Sequence, residues 1–279
     1  MKIKIFLLTL IFILPFFISA QDVISVKDAS KLTKDANTVI VACVKPESYQ
    51  KVHITNSVNI YHKDLYNNEP VKSMLKPAGE LAKIFGEKGL TTSKQIILYD
   101  KGTYKYAGRI YWILKYMGAE NVKIIDGNFD GWRKGRKPVT KNPSKVKPAT
   151  FTPKVNKAAI ASLSDVKVGK AMLIDVRPVA EFNGSEGKTE KLGHIPNAVN
   201  FHFEDVIAID GKIKPKAELV AMFNKAGITA NKEIILYCTS SVRAGVVYMA
   251  LTSILGNKNV KVYDGGVYEW LAKGNKVVK

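Results

Sequence analysis

The sequence predicts an α/β protein of two related domains, each a small parallel sheet with helices on both faces. Three observations predict it. Within each half, short runs rich in branched residues alternate with helical patterns, as in a sheet covered on both sides. One passage is written twice, as 95-QIILYDKGTYKYAGRIYWILKYM-117 and 233-EIILYCTSSVRAGVVYMALTSIL-255. Between the copies, 133-RKGRKPVTKNPSKVKPATFTPKVNK-157 is rich in Lys and Pro and has no hydrophobic periodicity, so it reads as an extended surface linker.

In chain order, residues 1–20 (MKIKIFLLTLIFILPFFISA) have a basic start at Lys2 and Lys4, an apolar run over 5–18 and a small-residue end, Ser19-Ala20. This is the pattern of a secretory signal peptide cut after Ala20, which implies an exported protein, periplasmic or secreted. The run is short for a bilayer core of roughly 30 Å, so no stable membrane insertion is expected after cleavage. No cysteine lies near the cut to carry a lipid anchor.

Residues 21–135 form the first domain, 136–157 the linker and 158–279 the second domain. A shift of 138 residues overlays Ile97-Leu98-Tyr99 on Ile235-Leu236-Tyr237, Gly118 on Gly256, Asp126-Gly127 on Asp264-Gly265 and Trp132 on Trp270. Such an offset points to duplication. Upstream, VHITNSVNI (52–60) matches GHIPNAVNF (193–201), and VIVACVKP (39–46) matches AMLIDVRP (171–178). The second domain is expected to hold strands at 171–176, 198–201, 233–237 and 260–263, and helices at 163–169, 216–227 and 244–255. The last helix is apolar nearly all round, as a buried helix behind a sheet would be.

Composition narrows the function classes. A hydrophobic content of 46% supports packed cores. Basic residues exceed acidic ones by 19; without Lys2 and Lys4 the surplus is 17. The lysines are scattered and form no basic–aromatic stripe, so they read as a solvated surface that attracts small anions, with no nucleic-acid partner. Two cysteines, Cys43 and Cys238, make no disulfide framework, and four histidines without paired spacing give no zinc pattern. No metal or other cofactor is expected.

Cys238 directly follows the strand EIILY, where α/β sheets place their sites. Thr239, Ser240, Ser241 and Val242 turn the chain toward a helix expected to begin near Val242, and Arg243 closes the loop. Unsatisfied amides at a helix start, curled around a sulfur, make a nest for an anion, and with Arg243 they favour the nucleophilic thiolate. The competing reading is a buried, inert cysteine. The first copy carries Asp100 at this place, so packing does not require a thiol here.

The chain resembles the tandem-domain rhodanese family, sulfurtransferases with a silent N-terminal half and a catalytic C-terminal half. The resemblance spans nearly all of 22–279. It rests on Asp175-Val176-Arg177 with Glu181-Phe182, on Gly193 through Ala198, on Tyr237-Cys238 through Arg243-Ala244, and on Asp264-Gly265-Gly266 before Trp270. It implies two rhodanese-like domains and a persulfide on Cys238, formed from a donor such as thiosulfate and passed to a thiol acceptor, a thioredoxin-like protein being one candidate. The loop amides of 239–243 would stabilise the persulfide. Arg243 either binds the donor or braces the loop. Arg177 and Asp175 are read as substrate-binding or loop-bracing groups, with bracing favoured. His194 belongs to a turn, because His53 holds the equivalent place in the silent half.

Four residues separate Cys238 from Arg243, whereas phosphatases and arsenate reductases resembling this fold have five. The shorter ring suits a single sulfur. Ser241 stands where the family often has glycine, and Glu181 where mercaptopyruvate-type members tend to have arginine; the latter counts against a carboxylate-bearing donor. Other readings are a non-turnover persulfide carrier or anion-binding module, and a Cys-dependent phosphatase.

Overall fold

A computed structural model describes residues 22–186, 193–229 and 232–279. The leader expected at 1–20 lies outside the described residues. One strand order is built twice. In the first half, Gln95–Tyr99 lies between Thr38–Ala42 and Val122–Ile125, with Val58–Asn59 and Val23–Ile24 at the edges, all parallel. In the second, Ile234–Tyr237 lies between Met172–Asp175 and Val260–Tyr263, with Val199–Asn200 and Ile160–Ala161 at the edges, again all parallel. The expected helices form at Leu163–Val168 and Lys216–Lys225.

Period-two alternation splits each central strand between two cores. Ile97 and Tyr99 pack outward with Phe129 and Trp132, and Ile235 and Tyr237 with Tyr263 and Trp270. Ile96, Leu98, Ile234 and Leu236 face inward, into one apolar core that runs through both halves. At its centre helix Lys105–Tyr116 crosses helix Ala244–Met249 with backbones in contact. A methyl on Gly108 would lie 2.8 Å from Val246 Cα, and one on Gly245 would strike the Gly108 carbonyl. Only glycine permits this approach.

Two carboxylates stitch the halves symmetrically. Leu75 N–H donates to Asp264 Oδ2 at 2.8 Å, and Ile213 N–H donates to Asp126 Oδ1 at 3.0 Å. Donors and acceptors are each related by the same 138-residue step.

Elsewhere the repeat departs from the simple offset. Ala107-Gly108 pairs structurally with Ala244-Gly245, a step of 137, because the first-half loop after Asp100 is one residue longer. The second-half helix takes in the missing residue as a π turn over Ala250–Ile254, which restores the offset by Gly256. Upstream, Ala42 and Asp175 sit opposite Tyr99 and Tyr237. Asn59 Nδ2 donates to the carbonyls of Ala42 and Val44, as Asn200 Nδ2 does to those of Asp175 and Arg177. The match of 39–46 to 171–178 is therefore off by one throughout: the structural step is 133, which also pairs the helix N-caps Lys45 and Pro178 and the stacked rings Tyr49 and Phe182. The counterparts of Asp175 and Arg177 are Ala42 and Val44.

The linker runs without helix or strand over 143–156, largely exposed, and is hydrogen-bonded to the first half. Val139–Thr140 pairs antiparallel with His53–Ile54, and Phe151 is buried against Phe85. Ala149, Lys154 and Asn156 donate amides to the carbonyls of Gly86, Met117 and Tyr116. Spaced hydrophobic residues and backbone bonds thus fasten this surface segment to the first half.

Candidate active site

Cys238 follows strand Ile234–Tyr237 at its carboxyl end and is 1% exposed. Residues 239–243 turn beneath it. The helix starts at Ala244 with Arg243 as its N-cap, slightly later than expected. Ser241 is buried at φ 52°, the left-handed region that favours glycine, and its hydroxyl donates to the Tyr263 carbonyl. Gly266, also at φ 52°, lies under the loop, where a Cβ would strike the Cys238 carbonyl. Val267 and Tyr268 donate amides to the carbonyls of Cys238 and Thr239 at 3.0 and 3.1 Å. The Asp264-Gly265-Gly266 motif is thus the floor of the cysteine loop.

The first half shows what such a loop holds. Asp100, 1% exposed, accepts amide hydrogen bonds from Gly102 and Tyr104 on Oδ1 at 2.9 and 3.2 Å. Tyr106 and Ala107 donate to Oδ2 at 3.1 and 3.2 Å. Burial raises this carboxyl and the amides pull it back, leaving it above its ordinary value. The loop is a nest of N–H groups around an anion built into the chain.

Charged side chains surround the cysteine loop in pairs. Arg243 donates to Glu181 through Nη1 at 2.6 Å and Nη2 at 2.9 Å, and Nη2 also reaches Thr239 Oγ1 at 3.0 Å. Burial raises the Glu181 carboxyl, but Arg243 outweighs it, with help from Arg177 and Thr239, so the group is held below its ordinary value. Arg177 is 2% exposed; its Nε donates to both Asp175 oxygens at 2.9 Å, and its Nη2 donates to Asp175 Oδ2 and to the Gly193 carbonyl at 2.5 and 2.6 Å. Committed in this way, Arg177 ties the strand end to the Gly193 turn. His194 stacks on Phe182 at 3.7 Å and its Nδ1 bonds the Phe182 carbonyl. His53 does the same with Tyr49 at 3.7 Å.

A further group reaches the loop from the first half. Arg109 is fully buried; its Nη2 donates to Asp264 Oδ1, its Nη1 to the Ser241 carbonyl at 3.4 Å, and its Nε to Tyr66 Oη at 3.3 Å. Its guanidinium lies 4.7 Å from the Trp112 ring. Tyr66 Oη in turn lies 2.9 Å from His62 Nδ1. Sequence reasoning missed this chain, although a lone arginine inside the apolar run AGRIYWIL was a signal. A cleft of about 660 Å³ opens beside the loop, with Thr239, Val242, Arg243 and Glu181 on one wall and His62, Lys105 and Tyr106 on the other. Among the described residues no cluster of His, Cys, Asp or Glu is arranged to hold a metal ion, and both cysteines are free thiols.

The family model described as "Rhodanese-like domain" matches residues 25–135 and 157–273. A 3-mercaptopyruvate sulfurtransferase of Escherichia coli is 31% identical over 241 residues, covering 84% of this chain and 85% of that protein. A Mycolicibacterium smegmatis protein, named provisionally as a thiosulfate sulfurtransferase, is 29% identical over 250 residues, covering 85% of this chain and 90% of its own. The crystal structure of SseA, from a study of 3-mercaptopyruvate sulfurtransferases of Escherichia coli, superposes with a TM-score of 0.80 at 28% identity, covering 88% of this chain and 98% of that one.

Proposed function

The chain belongs to the rhodanese-like family, and we propose that it is a sulfurtransferase carrying a sulfane sulfur as a persulfide on Cys238. The observation that carries the reading is the pairing of Asp100 with Cys238. At the equivalent strand end the silent half wraps four amides around a carboxylate, and the other half presents a thiol. A loop of this kind stabilises negative charge on whatever atom it encloses. Names of relatives in both the thiosulfate and the mercaptopyruvate classes support the same activity.

The Cys238 thiolate attacks the outer sulfur of thiosulfate. A new S–S bond forms to cysteine, the donor's S–S bond breaks, and its electron pair leaves with sulfite. The anionic persulfide is then attacked at its terminal sulfur by a thiolate, or by cyanide in an assay, which regenerates the Cys238 thiolate. Arg243 holds the loop closed through Thr239 and Glu181, and Arg177 with Asp175 fixes the adjoining strand end. The physiological acceptor is proposed to be a thiol, with a thioredoxin-like protein as one candidate. Export to the periplasm or medium is proposed from residues 1–20, and N-terminal sequencing of the mature protein should begin at Gln21.

Sulfite release in a single turnover tests the activity. One equivalent per enzyme is expected with thiosulfate, and none from Cys238→Ala. Phosphate-ester hydrolysis dependent on Cys238, without sulfite release, would overturn the reading.

A further inference from the structure

The polar chain Arg109–Tyr66–His62 has no counterpart in the other half. Val246, Ile207 and Phe203 stand at the equivalent positions, with His62 and Phe203 each opening a short 3-10 turn. The fold therefore packs this region with apolar side chains when it has no other use for it. The polar version is present only where it meets the cysteine loop: Arg109 contacts the Ser241 carbonyl, and His62 lines the same cleft as Arg243 and Thr239.

The hydrogen bonds fix where the imidazole proton sits. An arginine can only donate, so Arg109 Nε donates to Tyr66 Oη at 3.3 Å. Among the described residues the phenol proton has no acceptor other than His62 Nδ1, 2.9 Å away, and is directed there. Nδ1 is the acceptor, and the ring proton is on Nε2. The ring stacks on Tyr106 at 4.4 Å and meets Tyr61 edge-on at 4.8 Å, which holds its orientation. Burial and the nearby cations Arg109, Lys63 and Lys105 push its pKa down to about 3, so the imidazole stays neutral. Nε2 has no hydrogen-bond partner among the described residues. Arg243, across the cleft, is already committed to Glu181.

We infer that His62, from the half without the active cysteine, binds the sulfur donor, its Nε2–H hydrogen-bonding the oxyanion end that departs as sulfite. The inference rests on the sulfurtransferase reading. It gives the half without the active cysteine a direct part in binding: a neutral N–H of fixed tautomer facing an anionic donor. Tyr66 and Arg109 are positioning residues acting through it.

The test is steady-state transfer from thiosulfate to cyanide by the full chain, with added sodium sulfite as a second probe of the same subsite. His62→Phe copies the side chain the other half carries at this place and is expected to fold. Loss of one hydrogen bond to a charged group should raise KM for thiosulfate and the inhibition constant of sulfite about tenfold, with KM for cyanide unchanged. His62→Gln, which keeps an N–H donor, should recover most of that loss, a rescue that a packing role would not give. Tyr66→Phe, which frees the tautomer, should raise KM for thiosulfate in the same direction and serves if His62→Phe does not fold. A wild type that transfers sulfur, with thiosulfate and sulfite constants unmoved in the variants, would overturn the inference and leave the activity standing. A wild type that transfers no sulfur would overturn both.

Discussion

Arg243 holds both carboxylate oxygens of Glu181, at 2.6 and 2.9 Å. The pair sits in the cleft wall and closes the cysteine loop from outside. It also occupies the loop's one cation, so a donor bearing a carboxylate meets Glu181 beside a guanidinium already in use. Glu181→Gln should release Arg243 and lower KM for 3-mercaptopyruvate several-fold relative to thiosulfate. Stability should change by less than about 1 kcal/mol, since both side chains are partly exposed. Parallel kinetics with the two donors check this, and an unchanged donor ratio would count against the pair as a determinant.

Cys238→Ala should abolish sulfur transfer while leaving the melting temperature within a few degrees of wild type. The reason is internal: the equivalent place in the first half holds an aspartate without disturbing the fold. Residual transfer near the wild-type rate would remove Cys238 from the mechanism.

Ser241 keeps a left-handed backbone by virtue of its hydroxyl bond to the Tyr263 carbonyl and the Arg109 contact with its own carbonyl. Ser241→Ala loses the hydroxyl and keeps the strain, whereas Ser241→Gly loses the hydroxyl and relieves the strain. The glycine variant should be more stable than the alanine variant by about 1 kcal/mol. Urea denaturation of the two decides it, and equal midpoints would show that the backbone here is unstrained.

Most of this architecture was legible in the sequence. Alternating strands and helices follow from apolar periodicity, and the thiol stood out because its repeat partner is Asp100. The buried ion pairs were harder to see. Arg177 with Asp175 read as either a substrate-binding or a loop-bracing pair, and their two-residue spacing does not reveal the bond from Arg177 to the distant Gly193 carbonyl. Arg109 lies more than 130 positions from its contacts Ser241 and Asp264, and no local pattern announces a cross-domain bond. Single-residue shifts hid the rest: a longer loop after Asp100 and the π turn at Ala250–Ile254 cancel in the offset.

Arg109 and Asp264 form a buried pair across the domain boundary. Arg109→Met leaves the carboxylate without its partner and should destabilise the protein by about 3–5 kcal/mol. The double variant Arg109→Met, Asp264→Leu should recover part of that loss, and a double-mutant cycle in urea measures the coupling. Strict additivity would show that the two side chains do not act on each other.

His62 makes stability depend on pH with a definite sign. Its folded-state pKa, about 3, lies below its ordinary 6.5, so between these values the unfolded chain binds more protons. The contribution is whole above pH 6.5 and is lost as pH falls toward 3. The wild type should therefore lose stability from pH 6.5 to 4.5 more steeply than His62→Phe, by up to about 1.4 kcal/mol per pH unit. Denaturation midpoints across that range check it, and parallel curves would contradict a buried neutral imidazole.

The central claim is that sulfur rests on Cys238. Intact-mass analysis after incubation with thiosulfate, with peptide mapping of the labelled site, tests it most directly. The account predicts a gain of one sulfur atom located at Cys238 and lost on adding cyanide. A protein that gains no sulfur, or gains it at Cys43, would contradict it.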